Sequence, residues 1–380
     1  MTKNIIQLAI IRQKYRIDGG GEKIILSILQ GLNTYKIQPH IITRYWPKNI
    51  QHIKYNVHIC NPFIWNRISR EKQFSKTAME YCEKKFNIIQ SHERIPHCDI
   101  FRAGDGVHQA WLTQRNRVLP RHQQWYQNIN NYHQYILQTE QKMFDSPKLK
   151  IIICNSHMVK KDIINFYNIK PNKIKIIHNS VDSKKFFPAN NTQYYQAKKK
   201  LQIPQQSCTL IYVGSGFERK GLQRAIYAIS LTNRYLIIVG YDKYIKRYQT
   251  LSKELGCFHR TRFIGISNNL LPYYHAADAL ILPTLYDPFP NAILEAMSCA
   301  LPIITTWQCG SSELIKTGQE GFICDALDIN NLQKFVLEIP LKNKYPYMGL
   351  AARKKIINLN NNILTKKLIT LYTNIINHTI

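Results

Sequence analysis

Short apolar runs alternate with longer stretches in which apolar positions return every three or four residues, and the rhythm holds almost to the end of the chain. The runs suit buried parallel strands, and the periodic stretches suit helices packed on a sheet. The pattern therefore predicts an α/β architecture of mainly parallel sheets. In the first half, strands are expected at 5–11, 40–43, 87–90, 100–102, 151–154 and 174–177. A glycine run, Gly19-Gly20-Gly21, precedes a helix carried by Ile24, Ile25, Ile28, Leu29 and Leu32. Ser156 is placed to cap the helix after 151–154. The polar, aromatic-rich stretch 122–144 reads as one long helix.

From Asn179 to Pro188 the rhythm breaks, and an interdomain connection is expected there. Beyond it the α/β pattern restarts, with strands at 209–213, 235–239, 262–264, 279–282, 302–305 and 321–324 and a helix over 222–231. The tail from 345 reads as helix, broken near 358–361. The expected division is an N-terminal domain over 1–182, a C-terminal domain over 183–355, and a terminal helix over 356–380 able to pack back on the N-terminal domain. A chain of 380 residues, 44% hydrophobic and 11% aromatic, is long enough for two cores of ordinary size.

Composition narrows the function classes. No stretch approaches the roughly 18 apolar residues of a membrane span. The apolar N-terminus runs into Arg12 and Lys14 without a small-residue cleavage site, so it reads as a strand and not a signal peptide. Nine cysteines occur singly, without a Cys-x-x-Cys pair, as expected of reduced and mostly buried thiols in a cytosolic setting. No histidines have metal-ligand spacing, and no metal is expected.

Lys and Arg outnumber Asp and Glu by 52 to 23, a formal net charge of +29. Such a charge attracts nucleic acid, an anionic membrane surface or a phosphorylated substrate. The clusters Lys84-Lys85, Lys184-Lys185, Lys198-Lys199-Lys200 and Arg353-Lys354-Lys355 lie far apart, with no helix-turn-helix or RNA-binding signature, so nucleic acid is not an expected partner. An anionic membrane surface is. Lys54, Arg67, Arg70, Lys72, Arg115, Arg117 and Arg121, interleaved with Trp65, Trp111 and Trp125, are the residues suited to it. The competing account is compositional drift in a chain rich in Lys, Ile and Asn.

Two segments carry candidate chemistry. Leu210 to Val213 reads as a buried strand, and Gly214-Ser215-Gly216-Phe217-Glu218-Arg219-Lys220-Gly221 follows it before a helix. Glycines at such a turn let backbone approach a phosphate, and Arg219-Lys220 adds two positive charges. Further on, Asp287-Pro288-Phe289-Pro290-Asn291-Ala292-Ile293-Leu294-Glu295 passes from a Pro-broken loop into an apolar helix. A helix beginning near Pro290 would leave the N–H groups of Asn291, Ala292 and Ile293 without intrahelical partners, facing a ligand with anionic groups and hydroxyls. The alternative is an acidic cap on a surface helix.

With these elements in order, the chain resembles the GT-B glycosyltransferases of family 4, and within them the lipopolysaccharide-core glucosyltransferases. Four blocks carry the resemblance: Gly19-Gly20-Gly21-Glu22 after the first strand, the connection from Asn179 to Pro188, Val213 through Gly221, and Asp287 through Pro302. The last is this chain's form of the family's Glu-x7-Glu motif, with Asp287 in place of the first Glu and no glycine in the loop, which bears on the choice of sugar. The resemblance implies two doubly wound Rossmann-like domains facing across a cleft. It implies retaining transfer of a hexose, glucose from UDP-glucose, to a lipid-linked saccharide at the inner face of the cytoplasmic membrane.

The resemblance also implies site roles. Glu295 would take the donor's ribose hydroxyls. Asp287 with the amides of Asn291, Ala292 and Ile293 would hold the sugar and its phosphate. Arg219 and Lys220 would neutralise the diphosphate in place of a metal, no Asp-x-Asp being present. Gly20 and Gly214 would admit the donor phosphate, and Ile266 would contact the base. Asp105 would orient the acceptor hydroxyl, with Asp18 and His108 on the acceptor side; a turn-stabilising role for Asp105, between Gly104 and Gly106, is the alternative. No cofactor is expected. The rival readings are a nucleotide-sugar epimerase of the same fold and a polyanion-binding protein on an inactive transferase scaffold.

Overall fold

The computed structural model describes residues 5–15, 19–32, 35–47 and 55–377; Asp18 and Lys54 lie outside them. In chain order the elements begin with β1 (Ile6–Ile11), α1 (Gly20–Leu32), β2 (Ile37–Thr43), β3 (Asn56–Ile59), α2 (Arg67–Cys82), β4 (Ile88–Ser91) and β5 (Ile100–Arg102). There follow α3 (His108–Asn116), α4 (Arg121–Ile129), α5 (Asn131–Phe144), β6 (Ile151–Cys154), α6 (His157–Tyr167) and β7 (Ile174–Ile176). The second run is α7 (Asn191–Lys200), β8 (Thr209–Val213), α8 (Phe217–Lys220), α9 (Leu222–Ser230), β9 (Tyr235–Val239), α10 (Ile245–Glu254), β10 (Thr261–Gly265), α11 (Leu271–Ala276) and β11 (Ala279–Leu282). It closes with α12 (Asn291–Ser298), β12 (Ile303–Thr306), β13 (Gly321–Cys324), α13 (Ile329–Glu338), α14 (Tyr347–Ile356) and α15 (Asn361–Ile376).

The chain forms two compact units, one running to Asn179 and rejoined by the segment from Asn361, the other Ser180–Asn360. The first holds a sheet in the order β3-β2-β1-β4-β5-β6-β7, the second a sheet in the order β10-β9-β8-β11-β12-β13, and all strand pairs are parallel. Both are doubly wound Rossmann-like sheets. The order reverses between β1 and β4 in one and between β8 and β11 in the other, and ligands of such sheets sit outside the carboxyl ends of the strands at that point.

Burial explains the alternation read from sequence. Central strands covered on both faces are almost wholly apolar, as in β6 and β8, where every residue is buried. In the first unit α15 lays Leu364, Leu368, Leu371 and Tyr372 into the same core as Leu8, Ile10 and Ile25. Its Tyr372 hydroxyl donates to Gln90 on β4 at 2.8 Å. All nine cysteines are free and buried. Among the described residues no helix is long and apolar enough to cross a membrane.

Ser156 caps α6 as expected, its hydroxyl accepting the Val159 N–H. The long helix expected over 122–144 is instead two, because the Asn130 side chain accepts the Tyr132 and His133 N–H groups and starts α5 afresh. A polar stretch gives no sign of such a restart. Some elements, β3 and α2 among them, had no sequence signal. β3 is an exposed edge strand, and α2 buries only Phe74, Ala78 and Cys82 in a stripe too narrow to stand out.

Candidate active site

In the second unit the carboxyl ends of β8, β9 and β10 each carry a glycine: Gly214, Gly240 and Gly265. The Gly240 N–H donates to Gly265 O at 2.8 Å, and a Cβ on Gly240 would strike the Gly214 carbonyl. The three chain ends therefore converge at a closeness only glycine permits. Past Gly214 the single turn α8 is held by Asp242, whose carboxylate accepts the Phe217 N–H at 2.9 Å. A Cβ on Gly214 would overlap the Lys220 side chain, so Lys220 folds back over the turn.

Backbone hydrogen bonds bring the two sequence motifs together. The Arg219 carbonyl accepts from the Leu285 N–H at 2.8 Å and the Thr284 hydroxyl at 2.9 Å, while Arg219 Nη1 donates to Tyr286 O at 2.8 Å. The loop after β11 is thereby laced to the cationic turn, and Asp287 meets both cations. Its Oδ2 lies 3.1 Å from Lys220 Nζ and 3.3 Å from Arg219 Nη1. Burial alone would push the Asp287 carboxyl upward, but Lys220 and then Arg219 outweigh it and hold the group below the usual carboxylate range. The Asp287 backbone is fixed as well, donating to Gln308 O and accepting from the Gly310 N–H.

The helix carrying Glu295 is not a surface helix: Ala292 to Ser298 are all buried. Its N-cap is Pro290 with no side-chain cap, so neither acid of the motif caps it, and the surface-cap alternative fails. One expectation needs correction. The Ile293 N–H already donates to Pro290 O at 3.1 Å in a tightened first turn, so it has a partner and does not point ahead of the helix. Ala292 and Asn291 remain at the helix start. Glu295 is 4% exposed and accepts from the Tyr274 hydroxyl at 2.9 Å. Ile266 sits just past β10, 57% exposed.

In the first unit Gly20 is the exposed first residue of α1. Glu22 in that first turn is buried and pairs with Arg12 Nε at 3.0 Å. The same guanidinium lies 3.4 Å from Glu93 and 3.4 Å from Asp105. Burial would lower its pKa, but the three carboxylates together raise it. Asp105 projects from the turn after β5 with its side chain 58% exposed, tied to β1 through Arg12 and not only to its own turn. His108 opens α3. Its N–H donates to both Glu140 oxygens and its ring Nε2 meets His133 Nδ1 at 3.0 Å. Burial, Arg94, His133 and Arg67 push its pKa down to about 3, so the imidazole is neutral.

Arg12, Tyr274, Asp242, and the Arg94–Glu140 pair at 2.5 Å, were not singled out in the sequence. Each depends on a partner remote in the chain and has no spacing that announces it. A surface hollow of about 340 Å³ lined by Gln223, Arg247, Tyr248, Thr250, Leu251 and Glu254 contains none of the candidate residues.

Comparison with known proteins places this geometry. Residues 18–185 match the model of Glycosyltransferase Family 4 and residues 195–355 that of Glycosyl transferases group 1. The chain is 24% identical over 244 residues to the lipopolysaccharide glucosyltransferase WaaG of Escherichia coli (strain K12), spanning 62% of this chain and 63% of that one. It is 28% identical over 218 residues to the Escherichia coli UDP-Gal:alpha-D-GlcNAc-diphosphoundecaprenol alpha-1,3-galactosyltransferase, spanning 54% and 55%. The match thus spans between about half and two thirds of these curated relatives. The crystal structure of WaaG, a glycosyltransferase involved in lipopolysaccharide biosynthesis, superposes with a TM-score of 0.83 at 19% identity, covering 96% of this chain and 99% of that one. The chain belongs to the family 4 glycosyltransferases of the GT-B fold.

Proposed function

We propose that the protein moves a hexose, glucose from UDP-glucose, to a lipid-linked saccharide such as a lipopolysaccharide core, with retention of configuration and no divalent metal. The observation that carries the reading is the Arg219–Lys220–Asp287 cluster at the β8/β11 switch point. Two fixed cations beside a glycine turn suit a diphosphate, and a buried carboxylate within ion-pair distance suits the hydroxyls of the sugar attached to it. The activities named for the two relatives, a lipopolysaccharide glucosyltransferase and an enzyme using UDP-Gal on a diphosphoundecaprenol-linked sugar, support a uridine donor and a lipid-linked acceptor.

In this reading Arg219 and Lys220 take up the negative charge that grows on the diphosphate as the bond from sugar C1 to phosphate oxygen breaks. The acceptor oxygen bonds to C1 on the same face, and its proton passes to the departing phosphate. Asp287, with the helix-start amides of Asn291 and Ala292, orients the sugar, while Glu295 accepts from the ribose hydroxyls. Gly20 leaves room for phosphate, Gly214 lets the Lys220 side chain lie over the turn where its charge meets that phosphate, and Ile266 offers backbone to the base. Asp105, Asp18 and the neutral His108 serve the acceptor. An anionic membrane surface would hold the enzyme near a lipid-linked acceptor.

The test is release of free nucleotide from a panel of nucleotide-sugars, in excess chelator, with and without a lipid-linked saccharide. Acceptor-dependent release from UDP-glucose is expected. Release that requires added magnesium or manganese would overturn the metal-free reading, and activity with another sugar would replace glucose.

A further inference from the structure

Glu295 has a partner that no motif announced. Tyr274, on α11, donates its hydroxyl to Glu295 Oε2 at 2.9 Å, and the same hydroxyl lies 3.4 Å from the Ala292 carbonyl on α12. The ring is fully buried and stands edge-on to Phe186, centroids 5.8 Å apart, leaving it no room to swing away. α11 is itself anchored at its end. Lys342 Nζ donates to the His275 carbonyl at 2.8 Å and the Tyr274 carbonyl at 3.4 Å, and the Lys342 backbone N–H donates to Asp278 at 3.0 Å. Asp278 in turn takes the Thr209 N–H at the start of β8 and the Tyr194 hydroxyl from α7, each at 2.8 Å. A chain of buried contacts thus runs from the sheet to one oxygen of Glu295.

We infer that Tyr274 is the positioning residue for Glu295, fixing one carboxylate oxygen so that the group is preset for the ribose hydroxyls of a nucleoside diphosphate. The inference rests on the donor-binding role proposed for Glu295. A glutamate side chain has three rotatable bonds, and holding it before the ligand arrives removes rotamer loss that binding would otherwise carry. Burial and the neighbouring carboxylate push the Tyr274 phenol well up, so it remains a donor throughout the working pH range.

The experiment is calorimetric titration of the full chain with whichever of UDP, ADP or GDP binds best, and with its 2′,3′-dideoxy analogue. The native protein is expected to prefer the ribose form by about tenfold or more. Glu295→Ala should abolish that preference, and Tyr274→Phe, which keeps the ring and its packing, should cut it to within about threefold. A native protein without preference overturns the role of Glu295 and this inference with it. A native preference that survives intact in Tyr274→Phe overturns this inference alone. A lowered melting temperature with the preference unchanged marks the hydroxyl as merely structural and likewise overturns it.

Discussion

At the scale of single residues, charge and burial set the consequences of substitution. Lys220 and Glu295 approach the candidate donor site from α8 and α12 without filling the apolar core between the helices and the sheet. Lys220→Ala and Glu295→Ala should each lower transfer by about 10²–10³-fold, the usual loss when a charged group aimed at developing or bound charge is removed. In Lys220→Ala the remaining Arg219, 3.3 Å from Asp287, keeps the carboxylate paired, so circular dichroism should be unchanged. Near-normal activity with an intact spectrum would refute the assignment. His108 gives a pH prediction. Its folded pKa of about 3 lies below the unfolded value near 6.5, so between these the unfolded chain binds a proton that the native chain does not. Stability therefore falls as pH drops below about 6.5. Urea midpoints at pH 7 and pH 5 should differ less in His108→Asn than in the native protein; an equal difference would show that His108 titrates normally.

At the scale of elements, close approach decides which contacts survive. α15 lies against α1 where Gly31 faces Thr365, and a Cβ at Gly31 would overlap the Thr365 side chain. Thr365 is buried, and its hydroxyl cannot be moved aside into solvent. Gly31→Ala should cost about 1–3 kcal/mol by overpacking, seen as a melting temperature lowered by several degrees. Trimming of the tail by protease should quicken at the same time. An unchanged melting temperature would mean that α15 slides without penalty. The glycine spacing on α1 gave no hint of this, because the partner lies on the last helix of the chain.

At the scale of the whole molecule, the excess of basic residues calls for a binding test. Trp65 is 83% exposed and pairs edge-on with Phe63, and Trp125 is 58% exposed beside Tyr126. Trp111 is only half-buried on α3, while Arg67 stacks on the Tyr132 ring and Arg70 pairs with Glu71. Trp65 and Trp125 thus stand exposed on the N-terminal unit together with Arg117 and Arg121, whereas Arg67 and Arg70 are engaged by neighbouring side chains. Binding to anionic vesicles should weaken as salt rises, each basic group near the surface contributing about 1 kcal/mol within a screening length of roughly 8–10 Å. Equal binding to neutral and anionic vesicles, or none to either, would assign the charge to composition.

Apart from the exposed edge strand β3, the strands and the two motifs could be read from local sequence alone. Strands 209–213, 235–239, 279–282 and 321–324 fall where the apolar runs placed them, because a strand buried on both faces has few polar positions to blur it. Arg219, Lys220, Asp287 and Glu295 were legible for a similar local reason: strand, turn and helix lie consecutively, and their chemistry is written in adjacent residues. Contacts with remote partners emerged only in the folded chain. It chose Asp287 as the counter-ion of Arg219 and Lys220 across more than sixty residues, Arg12 as the holder of Asp105, and Tyr274 as the partner of Glu295. The Ile293 amide bonded within its own turn and the helix break at Asn130 are local events, but hydrophobic periodicity registers neither. Local periodicity reports which face a residue turns inward, and only the folded chain fixes what it meets there.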